Sequence, residues 1–167
     1  MQKITSFTVN HDTLEKGMYI SRVDGDIITY DIRMKKPNSG DYLSPASAHT
    51  LEHLFATYAR NHRVKDSVIY VGPMGCRTGF YLLVRDNVSK ADAIALVLES
   101  MRFARDFDGE IFGSTAKECG NYLDHDLAGA KAVAKDMSEV LQNWTVEMIT
   151  AGKYSSWFKT AIGESSG

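Results

Sequence analysis

The chain has 167 residues, 44% of them hydrophobic and 24% charged, with a formal charge of −2 at neutral pH. That length suits one domain able to bury roughly two thirds of the surface its unfolded form exposes. The near-neutral balance gives no cationic field for a phosphate backbone, and no apolar run approaches the roughly 20 residues that span a bilayer. The start, Met1-Gln2-Lys3-Ile4-Thr5-Ser6, lacks the apolar stretch of a signal peptide. We therefore expect a cytoplasmic protein that engages neither nucleic acid nor membrane, with Cys76 and Cys119 as free thiols.

From Met18 to Met34 the pattern predicts a hairpin. A turn at Asp24-Gly25-Asp26 separates its arms, and Ile28, Tyr30, Ile32 and Met34 alternate with Thr29, Asp31 and Arg33, which places Arg33 on the face opposite the apolar residues. Ser44-Pro45 reads as a helix cap with proline in the first turn, opening a helix to about His62 whose apolar stripe is Ala48, Leu51, Leu54, Phe55 and Tyr58. A second hairpin follows, Val68–Val71 and Phe80–Val84, joined by a glycine-rich connection that carries Cys76. Ser89 and Asp92 have capping-box spacing for a helix through Met101 and Ala104, and a last helix is expected from about Asp126 to Trp144. Hairpins interspersed with helices, without regular strand-helix alternation, predict an α+β domain: an antiparallel sheet covered by helices on one face, occupying residues 1–160. The polar tail 161–167 reads as frayed or as an expression remnant.

His49-Thr50-Leu51-Glu52-His53 sets two imidazoles four residues apart, one helical turn, with a carboxylate beside the second. On a helix both rings share a face and can hold one divalent cation. The order HxxEH is also that of inverted zinc peptidases, which would take Glu110 or Glu118 as a third ligand; Cys119 is the thiolate choice. A metal-stabilised binding domain without catalysis is the third possibility. His62 reads as a helix-end residue and His125 as the lead-in to the last helix.

Five segments, Tyr30-Asp31-Ile32-Arg33, His49-Thr50-Leu51-Glu52-His53, Pro73-Met74-Gly75-Cys76-Arg77-Thr78-Gly79, Lys117-Glu118-Cys119-Gly120 and His125-Asp126-Leu127-Ala128-Gly129-Ala130-Lys131, occur in the order seen in the S-ribosylhomocysteine lyases. From about Ser6 to Ala134 the chain resembles that family, also called LuxS. The resemblance implies that His49, His53 and Cys119 bind a metal, ferrous iron natively with zinc or cobalt as substitutes. It implies that Cys76 and Glu52 move protons, and that Ser6, His11, Arg33 and Gly120 line the substrate site. It also implies a homodimer with active sites at the interface. The expected reaction releases homocysteine and a dihydroxypentanedione that rearranges into the type-2 autoinducer of quorum sensing.

That chemistry suits these residue types. A ribose thioether leaves only after the carbonyl has migrated along the chain to acidify the proton beta to sulfur. Each migration asks for a Lewis acid together with acid/base groups, and a metal, a thiol and a carboxyl supply them. One departure from the family pattern stands out: Tyr70 and Gly72 replace an aspartate and a serine ahead of the loop cysteine, so recognition of the amino-acid end of the substrate is expected to differ.

Overall fold

Two antiparallel hairpins join edge to edge into one sheet. Strand β1 (Gly17–Asp24) pairs with β2 (Ile27–Arg33), β3 (Val68–Pro73) pairs with β4 (Gly79–Arg85), and β2 pairs with β4, giving the order β1-β2-β4-β3. The computed structural model describes residues 1–4, 7 and 9–150; the tail 161–167 and Ser6 lie outside them.

The period-two pattern sends Met18, Ile20, Tyr30, Ile32, Phe80, Leu82 and Val84 into the core. Helices α1 (Pro45–Ala59), α2 (Lys90–Asp106) and α3 (Leu127–Leu141) meet them there, as when Phe55 of α1 stands 6.1 Å ring to ring from Phe80. The α+β expectation therefore holds. Each helix starts where a side-chain oxygen accepts an orphan backbone N–H: Ser44 from Ser47, Ser89 from Asp92 and Asp126 from Gly129, contacts worth about 0.5–2 kcal/mol each.

Two expected boundaries move. The first helix ends at Ala59 rather than His62, and Arg60 beyond it donates to the Val68 and Ile69 carbonyls, tying the turn to β3. The last helix ends at Leu141 rather than Trp144. The Trp144 indole donates to the Met18 carbonyl at 3.0 Å and packs edge-on against Tyr19, and a short helix α4 (Val146–Thr150) follows. A tertiary contact of this kind cannot be read from helical periodicity.

The opposite sheet face carries Thr29, Asp31 and Arg33 of β2 and their β4 neighbours Leu83, Tyr81 and Gly79. No helix covers it among the described residues. The N-terminal segment crosses part of it, where Val9 and Leu14 pack with Tyr19 and Trp144 in a second small core.

Candidate metal centre

Helix α1 presents His49 and His53 on one face, and the irregular stretch 107–126 folds back over them. Main-chain oxygens fix both rings. His49 donates from Nδ1 to the Asp124 carbonyl and His53 from Nδ1 to the Phe112 carbonyl, each at 2.7 Å. With Nδ1 so engaged, the Nε2 lone pairs are left for a metal. Cys119 brings its sulfur to 3.4 Å from His49 Nε2 and 4.0 Å from His53 Nε2, and that sulfur also accepts the Asn121 N–H at 3.4 Å. Donors bound at about 2.0–2.3 Å to one tetrahedral ion stand about 3.5 Å apart, so these three donors suit a divalent cation. A ring nitrogen of His125 completes a group of four whose donor atoms all lie within 4.8 Å of one another. Neither Glu110 nor Glu118 belongs to this group; Glu118 instead accepts from the Thr115 hydroxyl. The group thus offers a sulfur beside its imidazoles and lacks the carboxylate a peptidase reading needs.

Cys76 sits in the β3–β4 connection, at a turn closed by the Arg77 N–H on the Met74 carbonyl. Arg77 there adopts a left-handed φ of 60°. Further bonds hold the loop: Thr78 O accepts from Met34 and Lys35, and Leu43 donates to Arg77 O. Gly79 lets β4 lie close against β2, because a Cβ at that position would run into the Ile32 carbonyl. The exposed thiol lies 3.0 Å from Thr78 Oγ1, and Arg33 donates to the same hydroxyl at 2.6 Å and approaches the sulfur at 3.9 Å. Arg33 does not face solvent: it is 3% exposed and forms a two-pronged pair with Asp31, 2% exposed, at 2.5 and 3.1 Å. His11, Arg33, Cys76, Tyr81 and Phe7 line a cleft of about 270 Å³. His11 donates from Nδ1 to the Val9 carbonyl, which frees Nε2. Burial and the Asp31 carboxylate push the Tyr81 phenol up, keeping it protonated.

Comparison with known proteins bears on the same residues. The profile of the S-Ribosylhomocysteinase (LuxS) family matches residues 4–148. The chain belongs to the LuxS family. Proteins named S-ribosylhomocysteine lyase are similar to it over most of their length: one from Clostridium acetobutylicum is 47% identical over 148 residues, covering 86% of this chain and 94% of that protein. Another from Phocaeicola vulgatus is 48% identical over 151 residues, covering 87% and 94%. A third from Porphyromonas gingivalis is 47% identical over 153 residues, covering 88% and 96%.

The residues expected from the LuxS motifs fall into two neighbouring groups. Glu52 lines a second cleft with His49, Asn121 and Asp124, and this cleft shares Met74 and Gly75 with the one that holds Cys76. Among the described residues the Glu52 carboxylate has no hydrogen-bond or ion-pair partner. Gly120 is exposed, with open space where a Cβ would project, and lines neither cleft; Ser6 lies outside the described residues. The Tyr70 ring lies over Gly72, filling the volume a side chain at position 72 would need, so the two departures from the LuxS pattern form one unit. Sequence reading missed two residues. Asp31 carries the same strand parity as Arg33 and could have been paired with it by that signal. His125 joins the metal group only because the cap at Asp126 brings α3 against α1, through the Asp126 N–H on Thr50 Oγ1 and the Ser47 hydroxyl on Asp126. Burial, with His49 and His53 close by, holds the His125 imidazolium below its ordinary range.

Proposed function

We propose that this LuxS chain is a metal-dependent carbon-sulfur lyase that cleaves S-ribosylhomocysteine to homocysteine and a dihydroxypentanedione, working as a homodimer in the cytoplasm. The observation that carries this reading is the Cys119 sulfur, 3.4 and 4.0 Å from the free Nε2 atoms of two histidines one turn apart. A divalent ion held by His49, His53 and Cys119, ferrous iron or zinc or cobalt in its place, supplies Lewis acidity toward the sugar oxygens.

The chain's own groups move the protons. Each carbonyl shift along the ribose takes one proton from carbon and returns one to the neighbouring carbon, with a matching exchange between oxygens. Cys76 takes and returns the carbon protons; its exposed thiol opens onto the substrate-sized cleft beside His11 and Arg33. Glu52, without a competing partner, exchanges the oxygen protons. Once the carbonyl sits two carbons from the thioether-bearing carbon, removal of the intervening C–H proton expels the thiolate, which leaves as homocysteine after taking a proton. Arg33, pinned by Asp31 and Thr78, lines the substrate cleft beside Cys76. His11 lines the same cleft, Ser6 is assigned to the substrate site, and the Gly120 backbone to the amino-acid end of the substrate.

A second copy completes the site. The cleft around Cys76 and the cleft around Glu52 share only the Met74–Gly75 wall, and beside the first a groove of about 430 Å³ runs along the open sheet face past Ile4, Tyr70, Tyr81 and Leu83. Exposed Ile4 and Phe7, with Tyr70 half exposed, give that face the apolar character of a subunit interface. The deciding experiment is thiol release from S-ribosylhomocysteine, followed with a thiol reagent before and after chelation. Release that falls at least a hundredfold on metal removal and returns with Fe(II), Co(II) or Zn(II) is the expected result. Release that ignores the chelator would overturn the proposal.

A further inference from the structure

We propose that Arg77 is a further substrate-binding residue whose guanidinium takes the α-carboxylate at the amino-acid end of S-ribosylhomocysteine. The inference rests on the lyase reading above and names a partner for the substrate's fixed negative charge.

Arg77 stands between the two halves of the site. A third cleft, of about 240 Å³, is lined by Cys76, His11 and Thr78 together with Arg77 and Tyr42, and Arg77 also lines the cleft that holds Glu52, His49 and Asn121. It therefore borders the thiol on one side and the Glu52 carboxyl on the other. Two consecutive residues hold it there. The Leu43 N–H donates to the Arg77 carbonyl at 2.8 Å, securing the backbone at its left-handed φ of 60°, and the guanidinium carbon lies over the Tyr42 ring, 5.8 Å from its centre. A cation resting on an aromatic face spends no N–H donor, so all five of the guanidinium remain available.

Charge balance singles this residue out. The ribose and the thioether are neutral, and the α-carboxylate is the one anionic group the substrate brings. Among the arginines that line the three clefts and the groove on the open sheet face, Arg33 is committed to Asp31 and Arg22 to Asp24. Arg77 has no hydrogen-bond or ion-pair partner among the described residues, although Glu52 and Asp124 both line one of its clefts. Its planar fork of donors matches a carboxylate with two parallel hydrogen bonds, a fit that the point charge of a lysine lacks. Because the carboxylate lies at the end of the substrate away from the reacting carbons, holding it favours ground state and transition state alike. The contact therefore acts on KM and not on kcat.

The test follows thiol release by the metal-loaded full chain from S-ribosylhomocysteine and from its analogue in which a neutral carboxamide replaces the carboxylate. The parent is expected to show a KM about 10- to 100-fold higher for the carboxamide, with kcat within about threefold. Arg77→Gln should raise the KM for the acid by the same factor, with kcat again within about threefold, and leave kcat/KM for the carboxamide within about threefold of the parent. Arg77→Lys should recover part of the affinity for the acid. Tyr42→Leu, which removes the ring and keeps the cation, should raise the KM for the acid by less and leave the carboxamide unaffected. If Arg77→Gln fails to fold, the parent's preference for the acid and its reduction in Tyr42→Leu decide. Equal losses on the two substrates, a fall in kcat, or an unchanged KM for the acid would overturn the inference. Release from neither substrate by the metal-loaded parent refutes the lyase reading itself, and this inference with it.

Discussion

Glu52 has no polar partner among the described residues and Cys76 touches only Thr78 and Arg33 through its sulfur, which makes both clean targets. The thiol is exposed in a loop that main-chain bonds already hold, so replacing either side chain leaves the fold's main supports in place. Cys76→Ala and Glu52→Gln are expected to keep their metal and their melting temperature while losing on the order of 10²- to 10⁴-fold in turnover, read as thiol release beside metal analysis. Arg33 is the contrary case. Removing it takes from the buried Asp31 carboxylate its two-pronged cationic partner, and Arg33→Met should cost about 3–5 kcal/mol in urea unfolding. The double variant Asp31→Asn, Arg33→Met should recover most of that, because it removes both buried charges together; equal losses in single and double would show that the ion pair is not the cause. Sequence alternation put Arg33 on the right face, and the same parity places Asp31, two residues back, where it pairs with Arg33.

At the scale of elements, the stretch 107–126 achieves order without helix or strand by anchoring rings and lending carbonyls. Phe112 stacks on Phe103 with planes 9° apart and meets Phe107 edge-on at 5.3 Å, which fixes its carbonyl against His53. Gly113 follows at φ 67°, and a Cβ there would stand 3.4 Å from His53 Nδ1. Phe112→Ser should therefore weaken zinc binding about 10- to 100-fold in a competition titration while Cys76 keeps its reactivity toward a thiol reagent. Unchanged zinc affinity would mean that the aromatic anchor does not position His53. Strands, caps and the His49/His53 pair were legible in the sequence because each is a local signal, a period or a spacing. The helix ends at Ala59 and Leu141, the Trp144 contact and the two carbonyls on the histidines were not. They depend on backbone groups and on partners far along the chain, which no residue type announces.

For the whole molecule, one sheet face is sealed by helices and the other is left with Tyr81, Leu83 and Tyr70 beside the cleft that holds Cys76. Leu83→Lys places a charge in the middle of that face without touching the helical core. It is expected to yield monomers in sedimentation and to lose thiol release while retaining metal; a dimer of parental activity would place the subunit contact elsewhere. The stretch 107–126 would add a bond of another kind to the architecture with an ion in place. Phe112, Cys119 and Asp124 reach α1 from a segment with no regular structure, so an ion seated there stitches that segment to the helix as a covalent bridge would. Since whatever binds only the folded form stabilises it, an ion bound there would raise the persistence of the fold along with any catalysis.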